Sequence, residues 1–289
     1  MIRLLKTVNN YLSLVRFSHT VFAMPFALIG FFLAISKDEY SFSLRLLILV
    51  ILCMIFARNA AMGFNRLADR RYDAMNPRTA AREIPSGIIS SRSAGIFVIV
   101  NSILFIITAG FINKLTLILS PVALLIILGY SLSKKITNLC HFILGLGLSL
   151  APAGAYISVT GSFSLLPVVY SFIVLTWVSG FDIIYALQDT DFDRAHNIHS
   201  IPSATGIKKS LTISALLHLT TVILVITAGL MYNTGFLFRG GAMIFIILLL
   251  YQHLIVKHDD LSRINIAFGT TNGIASIVFA LFVILDMYI

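Results

Sequence analysis

The sequence predicts an all-α integral membrane protein, with nine transmembrane helices in a bundle of two parallel-related halves and the N-terminus in the cytoplasm. Composition is the first reason. The 289 residues are 58% hydrophobic and 11% charged, with a mean hydropathy of +0.95, where soluble domains carry about 25% charged residues. The second reason is that apolar runs long enough to cross a bilayer recur from end to end. The third is the placement of Lys and Arg, which crowd onto alternate loops.

The runs lie at roughly 18–35, 43–64, 93–112, 115–133, 139–159, 165–187, 208–231, 235–256 and 265–287. They are uniformly apolar over about 20 residues, which selects helices over barrel strands of about 10 alternating residues. Residues 1–17 are too polar to supply the apolar core of a cleavable signal peptide. With nine spans, the N-terminus and the loops after spans 2, 4, 6 and 8 hold 16 of the 21 Lys and Arg. The opposite side holds four, Lys37, Arg45, Lys114 and Arg239, and Arg58 lies within span 2. That bias puts the N-terminus inside and the C-terminus outside.

The net charge of +9 therefore orients the chain against anionic lipid and does not imply nucleic acid. Cys53 and Cys140 lie far apart in or beside apolar runs. They read as packing residues, with neither metal-ligand spacing nor a disulfide framework. No obligate protein partner is evident.

The polar chemistry is concentrated in two segments. Asn65, Asp69 and Asp73 stand at i, i+4 and i+8 where span 2 gives way to polar sequence, and Tyr185, Asp189 and Asp193 repeat that spacing 120 residues later, at the end of span 6. Such spacing makes one face of a helix. The first motif leads into Ile84-Pro85-Ser86-Gly87 and the second into Ile201-Pro202-Ser203. The copies lie four spans apart and so share one orientation, a parallel repeat within a single domain over 1–289.

Seven of the 12 acidic residues belong to these regions: Asp69, Asp73, Glu83, Asp182, Asp189, Asp191 and Asp193. Carboxylates clustered beside hydrocarbon repel one another and are poorly solvated unless cations neutralise them. Oxygen ligands without His or Cys select Mg²⁺ or Mn²⁺ over Zn²⁺, and Mg²⁺ takes its remaining ligands from water and substrate phosphate. Two facing motifs therefore suit two or three ions with a diphosphate between them. The competing structural reading pairs these acids with Arg66, Arg70, Arg71, Arg78, Arg82 and Arg194.

Arg58 lies two turns before Asn65, about 10 Å deeper in the membrane. It reads equally as a salt-bridge partner of Asp182 and as a receptor for a substrate carboxylate or phosphate. Tyr130 and Lys134 share a face at the end of span 4, and by spacing alone Lys134 is a snorkelling anchor. His141, His218, Gln252 and Asn272 read as interhelical hydrogen-bonding residues.

At these residues the chain resembles the UbiA-type intramembrane aromatic prenyltransferases, most closely their 4-hydroxybenzoate polyprenyltransferase branch. The first family motif, N-x-x-x-D-x-x-x-D, is present as Asn65, Asp69 and Asp73, followed by Asn76-Pro77-Arg78-Thr79 and Arg82-Glu83-Ile84-Pro85-Ser86-Gly87. The second, D-x-x-Y-A-x-x-D-x-x-x-D, is present as Asp182, Tyr185, Ala186, Asp189 and Asp193, and Y-x-x-x-K as Tyr130 and Lys134.

The resemblance implies Mg²⁺ held by Asn65, Asp69, Asp73, Asp189 and Asp193 on a polyprenyl diphosphate. It also implies that Tyr130 and Lys134, with Arg70 and Arg82, contact substrate, and that Arg58 lies near the aromatic acceptor. Asp182, Tyr185 and Asp191 are then the residues expected to serve acceptor chemistry. The expected reaction is transfer of a polyprenyl group to an aromatic acid, 4-hydroxybenzoate first, in quinone biosynthesis at a bacterial inner membrane with the site toward the cytoplasm.

The stretch Phe17–Ala27 resembles menaquinone-linked relatives of that branch, which keeps a futalosine-derived or dihydroxynaphthoate acceptor as an alternative. A CDP-alcohol phosphotransferase lacks support because its single D-G-containing signature is absent. A transporter would place its charges near mid-membrane rather than at one face.

Overall fold

Serines and an asparagine start several of the long helices by accepting orphan backbone N–H groups. Ser43 receives Leu46, Ser90 receives Ser93 at 3.1 Å, and Asn113 receives Thr116 at 2.8 Å. Gly161 ends another in the left-handed conformation, φ +66°. A computed structural model describes residues 9–15, 22–36, 39–232 and 234–289. In chain order its principal elements are α1 Met24–Ile35, α2 Leu44–Met75, α3 Ser91–Gly110, α4 Lys114–Ser133, α5 Cys140–Thr160 and α6 Leu165–Ala186. There follow a 3₁₀ turn Leu187–Asp189, α7 Thr190–Ala195, α8 Ile201–Thr205, α9 Ile207–Tyr232, α10 Phe236–Ile255, a π-helical turn Ile266–Thr271 and α11 Asn272–Asp286.

Among the described residues, eight segments are long and apolar enough to cross a membrane. The ninth expected span, 18–35, is represented by α1 with 12 residues, about 18 Å of rise against a core of about 30 Å. Residues 16–21 lie outside the described residues, as do Arg3, Lys6, Arg16 and Lys37 of the charge count and much of the stretch Phe17–Ala27.

The bundle is organised around α6, whose apolar window is 67% buried against 44% or less in the other spans. It packs chiefly on α5 and α9, while α2 packs on α3 and α4. The pairs α2–α3 and α6–α9 occupy corresponding places in the two halves, whereas α5 packs extensively on α6 and its counterpart α1 barely meets α2. Small residues set two of the closest approaches. A Cβ on Gly30 would sit 2.0 Å from the Pro152 carbonyl oxygen where α1 crosses α5, and one on Gly145 would sit 2.6 Å from the Leu175 carbonyl oxygen on α6.

Aromatic packing fills the centre. Trp177 lies 5.3 Å from Phe26 and 5.7 Å from Phe245, which stacks at 4.9 Å on Phe279. Beside it, Asn272 accepts from Trp177 Nε1 at 2.9 Å and from Gln252 at 2.8 Å, and His218 meets His253 at 2.9 Å. Asn272, Gln252 and His218 are thus the interhelical bonds expected of them. Asn272 also donates to the carbonyls of Ala267 and Phe268, 3.0 Å each, serving two groups at the π turn.

Candidate active site

The two motifs differ in backbone. Asn65, Asp69 and Asp73 ride the uninterrupted α2, which runs well past the span limit of 64. The second motif is not the continuous helical face its spacing predicts. After Ala186 the chain tightens into the 3₁₀ turn that carries Asp189 and then restarts as α7, which carries Asp193.

Both motifs open onto one cavity of about 250 Å³. Its lining collects five cationic side chains, Arg58, Arg66, Arg78, Arg82 and Lys134, and five carboxylates, Asp69, Asp73, Asp182, Asp189 and Asp193. Phe22, Met62, Leu144, Leu148, Val178, Phe181 and Phe268 add apolar wall. Charge and hydrocarbon in one cavity suit a ligand with an anionic head and an apolar tail.

Three acids are paired. Lys134 from the end of α4 contacts Asp69 Oδ2, Arg82 donates to Asp73 Oδ1 at 2.7 Å, and Arg78 clamps Asp189 with Nε at 3.0 Å and Nη2 on the other oxygen. Lys134 therefore turns into the cavity and is not a lipid-facing anchor, whereas Arg78 and Arg82 do form the pairs expected on structural grounds alone. Asn65 donates to Asp69 at 3.1 Å and Asn76 to Asp189 at 3.0 Å. Partial burial works against the charge of Arg78, but its bonds to Asp189 and the attraction of that carboxylate outweigh the effect and hold the guanidinium above its ordinary range.

Tyr185 accepts from Arg78 at 3.2 Å and stacks on Phe268 with ring centroids 4.0 Å apart. The π turn of the last span thereby supplies one wall. Asp193 accepts from Ser200 at 3.0 Å, and Ser200 also forms a capping box with Ser203 that starts α8. Asp182 finds its partner in His141 of α5, 2.7 Å away.

Among the described residues no three His, Cys, Asp or Glu side chains already converge as a cage for a metal ion. The donor set nonetheless fits a hard divalent cation that shares its ligands with phosphate. Asp69 and Asp73 are 2% and 6% exposed, and Asp69 Oδ1 and Asp73 Oδ2 are buried without a hydrogen-bond partner. Buried carboxylate oxygens of this kind call for a cation.

The cavity brings together Asn65, Asp69, Asp73, Arg58, Arg82, Tyr130, Lys134, Asp182, Tyr185, Asp189 and Asp193 of the sequence-predicted residues. It does not include two. Arg70 is exposed and turns back on its own helix, donating to the Leu67 carbonyl at 2.9 Å, and Asp191 is exposed on α7. Two residues apart on α7, Asp191 and Asp193 point to opposite sides of the helix, and Asp193 is the one that lines the cavity. Tyr72, Asn76, His141 and Ser200 also line the cavity, and motif spacing does not point to them, although Asn76 opens the Asn76–Thr79 segment.

A model of the UbiA prenyltransferase family matches residues 23–282. The 4-hydroxybenzoate octaprenyltransferase of Aliivibrio salmonicida is 32% identical over 246 residues, covering 81% of this chain and 82% of that protein. The enzyme of the same name from Yersinia enterocolitica is 28% identical over 235 residues, with 81% of each chain covered. Among solved structures, an apo UbiA homolog from Aeropyrum pernix is 32% identical with a TM-score of 0.84, covering 93% of this chain and 98% of the other. A UbiA homolog from Archaeoglobus fulgidus bound to GPP and Mg²⁺ shares the fold at 22% identity, with a TM-score of 0.76 over 97% of this chain and all of that one.

Proposed function

This chain belongs to the UbiA prenyltransferase family, and from that premise we propose that it transfers a polyprenyl group from a polyprenyl diphosphate to the ring of 4-hydroxybenzoate. The observation that carries the reading is one cavity lined by five cations, five carboxylates and an apolar wall. The relatives named for this acceptor support its choice.

In the proposed reaction Asn65, Asp69, Asp73, Asp189 and Asp193 hold Mg²⁺, with Asp69 Oδ1 and Asp73 Oδ2 as its first anchors. Bound there, the ion neutralises charge on the leaving diphosphate. Lys134, Arg78 and Arg82 each exchange a carboxylate for a phosphate oxygen when substrate enters, so cationic charge meets the diphosphate as it leaves. Tyr130 lines the same cavity.

The allylic C–O bond breaks with its electron pair on the diphosphate, and the ring carbon ortho to the phenol supplies the pair for the new C–C bond. Loss of the ring proton restores aromaticity. The apolar wall, including Phe181 and Phe268, keeps water from the allylic cation and receives the isoprenoid tail. Asp182 and Tyr185 serve the acceptor, with Arg58 deeper in the cavity.

The motif end faces the cytoplasm in this proposal, since 16 of 21 Lys and Arg fall on the loops of that side. Relatives in bacteria point to the inner membrane. Family membership supports prenyl transfer over the phosphotransferase and transporter readings.

Membranes containing the chain, Mg²⁺, a polyprenyl diphosphate and 4-hydroxybenzoate are expected to yield the 3-polyprenyl product, and EDTA to abolish it. A panel that adds dihydroxynaphthoate and futalosine-derived acceptors tests the acceptor: a higher kcat/KM on one of those would replace 4-hydroxybenzoate in this reading.

A further inference from the structure

Three consecutive residues after the second motif fasten three parts of the cavity. The His199 N–H donates to the Lys134 carbonyl at 2.8 Å, the Ser200 hydroxyl holds Asp193 at 3.0 Å, and the Ile201 N–H donates to His141 Nε2 at 3.3 Å. The first two bonds steady residues assigned to the diphosphate end. The third reaches a residue to which no role is yet assigned.

His141 is 3% exposed and lines the cavity at the start of α5. Because Nε2 accepts from the Ile201 backbone, the ring proton resides on Nδ1, and Nδ1–H donates to Asp182 Oδ2 at 2.7 Å. The imidazole is thus a bridge between backbone and carboxylate. One side is gripped by backbone that cannot turn away, and the other grips a carboxylate on the central helix α6. Among the described residues only Oδ2 is engaged, which leaves Oδ1 of a cavity-lining carboxylate to accept from a ligand.

The geometry points to His141 as a positioning residue for the aromatic acceptor: through Nδ1–H it orients Asp182 so that the carboxylate accepts a hydrogen bond from the hydroxyl of a phenolic substrate. The inference rests on the prenyl-transfer reading of the same cavity. It separates the cavity into two supports, since the ion pairs of Lys134, Arg78 and Arg82 serve the diphosphate while the Ile201–His141–Asp182 chain serves the ring. Held by backbone on its other side, the imidazole fixes the carboxylate in one orientation.

The test compares His141→Ala, His141→Asn and His141→Gln with the wild-type chain in native membranes. It reads kcat and KM for each substrate, together with Mg²⁺-dependent binding of prenyl diphosphate. Asn places an amide N–H near the position of Nδ1, whereas Gln reaches toward the position of Nε2. His141→Ala is expected to lower kcat/KM for the acceptor about 10- to 100-fold, the effect of losing one hydrogen bond to a charged group. Binding of prenyl diphosphate is expected to stay within about twofold of wild type. His141→Asn is expected to recover most of the loss and His141→Gln little of it.

Combining His141→Ala with Asp182→Ala is expected to cost no more than Asp182→Ala alone, because both act through one contact. Equal losses in the Ala and Asn variants, or a parallel loss of prenyl diphosphate binding, would show a merely structural histidine and overturn the inference. A wild-type chain that prenylates no acceptor removes the parent reading and this one together. An active wild type with an unaffected His141→Ala variant overturns this one alone.

Discussion

In the first motif, Asn65, Asp69 and Asp73 ride a single 32-residue helix, and Asn65 reaches Asp69 one turn away along the same face. In the second, the helix stops at Ala186 and a 3₁₀ turn and a new short helix carry Asp189 and Asp193. The two share spacing but not support. Local helical geometry aligns the first copy. The second is held from outside its own helix: Asn76 and Arg78 from the first half hold Asp189, and Ser200, seven residues further on, holds Asp193. A regular helix fixes side chains that all point one way, whereas a broken one can aim carboxylates at separate partners and keep Asp182 and Tyr185 in the same cavity.

The sharpest way to break this comparison is to remove one carboxylate from each copy. If both motifs serve one diphosphate, Asp69→Asn and Asp189→Asn each lower prenyl transfer by about 10²- to 10³-fold, as expected for preorganised charge stabilisation. Retention of activity by either variant at saturating Mg²⁺ would show that the copies are not partners.

A smaller effect tests the link between halves. Arg78→Ala frees Asp189 and removes a bidentate donor, with kcat/KM for prenyl diphosphate expected to fall about 10- to 100-fold. Arg78→Lys restores little of it, because an ammonium cannot reproduce the planar fork. Full recovery with Lys would mean that charge alone matters there.

Ser200→Ala probes the local support of the second copy. Loss of the cap on α8 and of the bond to Asp193 is expected to destabilise the protein by about 1–2 kcal/mol, read as a lower melting midpoint in detergent, while Ser200→Thr keeps the midpoint near wild type. The analogous Asn65→Ala on the continuous helix is expected to shift stability less, since α2 does not need that side chain to remain helical. At the bottom of the scale, Asp191→Asn changes stability by no more than about 0.5 kcal/mol and leaves turnover unaltered, because the side chain is exposed outside the cavity.

Particular residues show where the sequence stopped being legible. Asp69 and Asp73 could be placed on one face because a helix propagates its own geometry and nothing interrupts α2. Spacing also set Asp193 with Asp189 and apart from Asp191, but the 3₁₀ tightening after Ala186 that interrupts this second face carries no signature in the residue spacing. Lys134 read as an anchor because its neighbours in sequence are ordinary for a span terminus; only the approach of α4 to α2 turns it toward Asp69. His141 read as a lone interhelical polar residue, which is accurate as far as it goes, and its partners Asp182 and Ile201 are 41 and 60 residues away.

By itself the sequence determined that this chain is a helical membrane protein with an acidic, phosphate-suited repeat at one face, because hydrophobic length, charge bias and helical period are local properties of a chain. The tertiary structure decided which cation meets which acid and that a π turn brings Phe268 onto Tyr185. Those outcomes depend on how helices far apart in sequence pack together, and pairwise packing leaves no periodic trace along any one of them.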